Sequence, residues 1–436
     1  MAFYVHQDSK DALGDELNLF EVPPTVSSIE SSNYVAHTPI STLFEDNPIE
    51  FTISGTNELL DLRRSYLHVK AKIVSPQNQP YTDDKIVAFV NLGLHSMFKQ
   101  ADVFINDHLI TESNVLYPYR SYLETALNYS LDSKNSVLNA EGYYEDVAGR
   151  FDNIKTLTTD LVKNDGFMDR WALSKKSQTL EFVGKPHLDI FAQSRLMLDN
   201  VNIRVRFIRS KNDFVLIGSE PSKLRIEEIT IYVRKVKLMP NISLSHENLL
   251  SKTTAKYPIK RVNMQYFAIP NGSSGISKDN IVLGTLPQRV LLCLVGQEAF
   301  HGKLELNPFN LKHLNVSNCS LYLDGQQIPN TPFKTNFEKG ECVRPFYEMF
   351  QTLDLTEEGR GNDVTLYEYK NGTTIFAFDL TPTQLTTGGY FNLLKRGNLK
   401  LELGFEKALT EAAVAILYLE TDDIIEINKD RQVIHE

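Results

Sequence analysis

Cysteine is scarce in this chain, and nowhere is it spaced to do chemistry. The three residues, Cys293, Cys319 and Cys342, all fall in the second half of 436 positions. An odd count without a CxxC pair argues against both a disulfide framework and a thiolate zinc site, so buried thiols are expected. Histidine motifs are missing as well: the 10 histidines are scattered, with neither HExxH nor HxH among them. Metal catalysis therefore has no recognisable ligand set, and no metal ligand is assigned. No apolar run approaches the roughly 18 residues that a membrane span requires. The opening "MAFYVHQDSKDALGDELNLF" has no basic start followed by an apolar core, so a secretory signal is not expected and synthesis in the cytosol is. Positive charge is also in deficit, with 45 Lys and Arg against 55 Asp and Glu, a net charge of −10. That balance speaks against a dedicated nucleic-acid binder held by phosphate neutralisation, while leaving room for a local basic face. The glycine pair Gly388-Gly389 in "TPTQLTTGGYF" lacks the GxxxxGK[ST] pattern and its strand-to-helix context, so it reads as a turn or bulge. No cofactor is expected.

What the chain does have is alternation. In "LRRSYLHVKAKIV", Leu67, Val69, Ala71 and Ile73 fall on one face and Tyr66, His68, Lys70 and Lys72 on the other, the pattern of a half-buried strand. Further strands are predicted at "IEFTISG", "ADVFIN", "QTLEFV", "VNIRVRFI" and "LRIEEITIYVRKVKL", each rich in β-branched and aromatic residues. Two stretches break the pattern. "YPYRSYLETALNYS" carries Pro118 early, with Tyr122, Leu123, Ala126 and Leu127 at helical spacing, which predicts a short helix. Residues 131–177, with the single Trp171, mix Gly, Asp, Asn and Lys with short apolar pieces and read as a long surface excursion. Residues 1–40 hold acidic residues, Ser, the pair Pro23-Pro24 and a weak helical pattern through Leu13, Leu17 and Phe20. They read as an arm that becomes fixed against a partner.

A second series of strands begins near Tyr257, after the polar stretch "SLSHENLLSKTTAK". It comprises "NIVLGTL", "RVLLCLV", "CSLYLDG", "TIFAFDL", "GNLKLELGF" and "AAVAILYLE", and its landmarks repeat those of the first. "ADVFINDHLI" (101–110) returns as "CSLYLDGQQI" (319–328), with Asp324-Gly325 standing where Asn106-Asp107 stood; both pairs tolerate positive φ and are strong hairpin signals. Pro118-Tyr119 followed by "RSYLET" has its counterpart in Pro345-Phe346 followed by "YEMFQT", and Asn202 to Arg206 in Asn398 to Glu402. Order is kept while the offset changes, as expected of a duplicated unit whose loops have diverged. The fold class predicted is all-β: two tandem jelly-roll sandwiches with a few short helices in loops. The predicted boundaries are an arm at 1–40, a first sandwich at 41–245, a linker at 246–256, a second sandwich at 257–425 and a tail at 426–436.

Candidate functional residues are few. His187-Leu188-Asp189 could transfer a proton or supply a ligand pair, against the plainer reading of a strand-end histidine with a local hydrogen bond. The adjacent carboxylates Asp422-Asp423 and Glu357-Glu358 could serve glycoside hydrolysis only if folding set two of them face to face; solvated loop charges are the expectation. Arg204 and Arg206, with Arg209 and Lys211 beyond, could meet nucleic acid or an acidic neighbouring subunit, or form a solvated strand face. Phe and Tyr could stack bases or sugars but more often fill a sandwich core. No catalytic, cofactor-binding or metal residue is assigned.

The stretches "LDLRRSYLHVKAKI", "ADVFINDHLI", "YPYRSYLETALNY" and "HLDIFAQSRLMLDNVNIRVRFIRS", in that order, resemble the major capsid proteins of Polinton (Maverick) elements and adintovirus-like viruses. The resemblance implies a double jelly-roll protein of the tectivirus and adenovirus lineage, non-enzymatic, forming homotrimers that tile an icosahedral virion. Implied partners are the chain itself, a single jelly-roll penton protein at the fivefold vertices, a maturation protease and a packaging ATPase, with weak genome contact on an inner face and no membrane span. Two rival readings are a lectin-like pair of sandwiches and a β-sandwich glycosidase.

Overall fold

A computed structural model describes residues 7–10, 12–43, 47–111, 115–155, 163–356, 361–383 and 390–434. Alternation becomes burial where it was read. In the strand Leu59–Val74, Leu67, Val69, Ala71 and Ile73 are buried and the intervening Tyr66, His68, Lys70 and Lys72 half-buried. Leu399, Leu401, Leu403 and Phe405 do the same in Arg396–Phe405.

Eight principal strands make the first half: Ile29–His37, Ile49–Ile53, Leu59–Val74, Phe98–Ile105, His108–Leu109, Leu180–Gly184, Ile203–Arg209 and Lys223–Leu238. One sheet places them in the order first, eighth, third, sixth; the facing sheet runs second, seventh, fourth, fifth. The second half has Ala255–Ile269, Gly275–Thr285, Arg289–Gly296, Val316–Leu323, Gln326–Lys334, Ile375–Asp379, Arg396–Phe405 and Ala413–Ile427, and its sheets repeat both orders. Antiparallel strands that keep crossing between two facing sheets form a jelly roll, so the chain is a double jelly roll. Val87–Phe89 and Leu216–Gly218 form a short additional sheet in the first half, with no counterpart in the second among the described residues.

The duplication extends to single hydrogen bonds. Both hairpins turn on residue pairs with positive φ, Asn106 (45°) with Asp107 (68°) and Asp324 (48°) with Gly325 (85°), the conformation that matches strand twist in a two-residue turn. Asn106 N–H donates to Asn202 O at 2.9 Å, while Asn202 N–H donates to Asn106 Oδ1 at 2.8 Å. In the second half, Asp324 N–H donates to Asn398 O at 3.1 Å, and Asn398 N–H to Asp324 Oδ1 at 2.8 Å. The cation over the neighbouring ring is repeated too: Arg204 lies 4.3 Å from the Phe104 centroid and Lys400 5.6 Å from that of Tyr322.

Helices follow each hairpin, Tyr117–Asn128 and Val343–Thr352, with Pro118 and Pro345 in their first turns, where a missing N–H costs nothing. Five features of the fold differ from the sequence reading. The strand Ile29–His37 lies within the stretch read as an arm, and pairs with Lys223–Leu238 from Ser31↔Lys237 to His37↔Ile231. It is largely exposed at a sheet edge, so no buried face imposes alternation on it. Leu13, Leu17 and Phe20 yield only a single 3-10 turn, Asp15–Leu17, and stay exposed. The polar stretch between the halves contains most of a helix, Pro240–Leu250, before Ala255–Ile269 begins. Beyond 425 the last long strand continues to Ile427, and Val433–Ile434 folds back on it.

The excursion at 131–177 is also not simply surface. Its helix Asp165–Ser174 buries Phe167 and Arg170 completely. The Arg170 guanidinium is paired with Asp146 at 2.6 Å and donates to the carbonyls of Tyr144 and Phe89, which is what allows so polar a group to be buried. One continuous apolar core runs through both halves.

Candidate functional site

The helix Tyr117–Asn128 turns an aromatic face toward the second half. Tyr119 stacks on Phe300 with ring centroids 5.6 Å apart, and Tyr122 on Phe309 at 4.5 Å. Phe214 meets Phe309 edge-on at 6.2 Å. Polar groups border this apolar seam. Asp146 accepts from Asn307 Nδ2 at 2.9 Å, and Asp152 from Asn307 N–H at 2.7 Å and Asn310 Nδ2 at 2.9 Å. The buried Lys134 ammonium donates to Asn362 O at 2.6 Å, and Arg261 to Ile110 O at 2.6 Å. Near the C-terminus, Arg431 pairs with Asp199 at 2.7 Å and Glu247 at 2.6 Å. A hollow of about 700 Å³ opens along the seam, lined by Asp152, Asn307, Asn310, Lys312, Glu411 and neighbours.

Along the same helix, Arg120 and Glu124 gather charged partners. Glu124 accepts from Arg120 Nε at 2.8 Å, lies 2.5 Å from His187 Nδ1, and accepts from the Tyr418 hydroxyl of the second half at 3.3 Å. Burial pushes its carboxyl up, but the Arg120 charge and the His187 bond outweigh burial and hold it down to about 2. Arg120 also pairs with Asp189 at 2.7 Å. Behind His187 lies His95, their rings edge-to-face with centroids 4.6 Å apart. His95 Nδ1 is 2.9 Å from the Tyr117 hydroxyl and its Nε2 is 3.3 Å from Glu141 Oε2. Burial pulls the His95 pKa down, against the bond to Glu141.

Folding thus brings His187 and Asp189 of the sequence motif onto one Arg–Glu pair, and adds His95, Glu124 and Glu141. These come from 95, 124 and 141, far enough apart that no spacing rule links them.

The other candidates fare differently. Asp422 and Asp423, expected as solvated loop charges, lie within the strand Ala413–Ile427, where neighbours point to opposite faces. Lys260 pairs with Asp422 and Arg261 with Asp423, each at 2.5 Å, so each carboxylate is neutralised from the adjacent strand. Glu357-Glu358 and Gly388-Gly389 lie outside the described residues. On the basic face, Arg206 pairs at 2.7 Å with the fully buried Asp102, and Arg204 rests over Phe104. The cysteines are free and buried, with burial pushing the Cys293 thiol up to about 12. Among the described residues, no helix is long and apolar enough to cross a membrane.

No protein-family model matches the chain. An uncharacterized protein of Caenorhabditis elegans is 26% identical over 425 residues, covering 93% of this chain and 97% of that protein. Among solved structures, a chain of the Sputnik virophage, determined by cryo-EM, superposes with a TM-score of 0.68 at 14% identity, over 98% of this chain and 93% of that one. The mavirus major capsid protein gives 0.56 at 11% identity, covering 100% and 97%. The faustovirus major capsid protein gives 0.56 at 9% identity, covering 94% and 92%. The likeness is one of fold, shared with double jelly-roll capsid proteins.

Proposed function

We propose that this chain is a non-enzymatic major capsid protein of the Polinton (Maverick) or adintovirus-like kind. In this reading it assembles as a homotrimer into pseudo-hexameric capsomers that tile an icosahedral virion. The observation that carries the reading is the duplication itself, two sandwiches with identical strand order in both sheets joined by a packed aromatic seam. Three copies of such a chain present six similar sandwiches, so a threefold object can occupy a sixfold position in a closed shell. The internal pairing of Arg206 with Asp102 and the net charge of −10 favour protein contacts over bulk condensation of a genome. The segment before Ile29 would reach beneath a neighbouring capsomer, and a single jelly-roll protein would close the fivefold vertices.

The test is the mass of the purified chain at micromolar and nanomolar concentration, with negative-stain images of the same sample. A species near three times 49.6 kDa at both dilutions, seen as pseudo-hexagonal blocks or shells, is the expected result. A monomer that binds glycans saturably would replace this reading with the lectin-like one.

A further inference from the structure

Three side chains from separate loops of the first sandwich converge on one small volume. His95 comes from the short helix Gly93–Ser96 and Glu141 closes the 3-10 helix Val137–Glu141. His187 follows the strand Leu180–Gly184. One ligand-type atom from each lies within 4.8 Å of the other two. The surroundings favour a cation over a simple hydrogen-bonded cluster. His95 has its Nδ1 on the Tyr117 hydroxyl, and His187 has its Nδ1 on Glu124, which Arg120 holds in turn. Metal-binding histidines nearly always donate the second ring N–H to a carboxylate, backbone carbonyl or water, and the His187 pairing with Glu124 is of that kind. With both Nδ1 atoms engaged, Nε2 of each ring is the atom left to bind. His95 Nε2 is 3.3 Å from Glu141 Oε2, long for a charge-assisted hydrogen bond and close to the ~3.4 Å between two ligands of one tetrahedral metal at about 2.0–2.1 Å.

We propose that His95, Glu141 and His187 form a structural zinc site that clasps three loops of the first sandwich. Two imidazoles and one carboxylate suit zinc rather than calcium or magnesium, which take oxygen ligands. A water would complete four-coordination. His95 is 1% exposed, whereas the side chains of Glu141 and His187 are 13% and 12% exposed, so the ion enters from their side. Bound zinc would fix the start of the 131–177 excursion to the core of the sandwich. The inference does not depend on the capsid reading.

The test uses the full-length chain, freed of metal by chelator and titrated with zinc sulfate by calorimetry, with thermal unfolding followed in parallel. One zinc per chain with micromolar or tighter affinity, and a higher unfolding temperature with zinc but not with magnesium, is the expected result. His187→Ala and Glu141→Gln should each weaken zinc binding at least tenfold while unfolding in chelator at temperatures close to that of the unaltered chain. No saturable zinc uptake, or uptake unchanged in whichever of the two variants folds, overturns the proposal.

Discussion

His313 is a half-buried base whose Nδ1 is already an acceptor. Its ring stacks on Phe337 with centroids 4.2 Å apart, and its Nδ1 accepts the backbone N–H of Asn315 at 3.0 Å. Burial first, and then the Lys370 charge, lower its pKa below the usual 6.5, with Glu338 opposing. His37 in the first half is pulled the same way by burial and Lys235, against a hydrogen bond from its ring to the Thr52 backbone. A histidine whose folded pKa lies below its unfolded one binds its proton more readily in the unfolded chain. Its contribution to stability is complete above about 6.5 and is lost as pH falls below that value. Unfolding free energy measured in urea should therefore decline between about pH 7.5 and 5.5, and His313→Gln should flatten the decline. An equal slope in the variant would remove His313 from the account.

The two hairpins offer the same comparison for an element. Asn106 and Asp324 each hold a left-handed conformation and accept a backbone N–H near the start of the seventh strand, from Asn202 just before Ile203–Arg209 and from Asn398 within Arg396–Phe405. Alanine at either position gives up the acceptor and strains the turn, at a cost of about 1–2 kcal/mol. Asn106→Ala should cost somewhat more, because its amide also reaches Arg431 O across the seam. Urea midpoints of the two variants decide this; a neutral Asp324→Ala would mean that the second turn is held by its neighbours alone. These turns were legible in the sequence because Asn, Asp and Gly leave a local signal, as were strands with one buried face such as Leu59–Val74 and Arg396–Phe405. Ile29–His37 was not legible, since an exposed edge strand has no apolar face to display. Nor was the cluster of His95, Glu141 and His187, of which only His187 lies in a stretch with a local signal. Its members are joined by tertiary packing, and residues at 95, 141 and 187 carry no mutual spacing.

At the scale of the whole molecule, the question is whether two sandwiches behave as one body. Phe309 of the second half is fully buried, stacked on Tyr122 and edge-on to Tyr119 and Phe214 of the first. Removing a ring of that size from a packed site costs about 3–5 kcal/mol. Here the loss falls on the coupling between halves as well as on either core. The intact chain should unfold in one calorimetric transition, whereas Phe309→Ala should separate into two. Phe51→Ala supplies the control, since Phe51 is fully buried within the first sandwich against Phe207; its cost is of the same size, but it should lower stability without uncoupling the second half. If the chain works as a capsomer building block, the angle between its sandwiches must be fixed before three copies can close into a ring. Phe309→Ala should then lose trimer at temperatures where both halves remain folded by circular dichroism. A Phe309→Ala chain that still unfolds in a single transition and still trimerises would show that the polar contacts of Asp146, Asp152 and Arg431 hold the halves together without the aromatic seam.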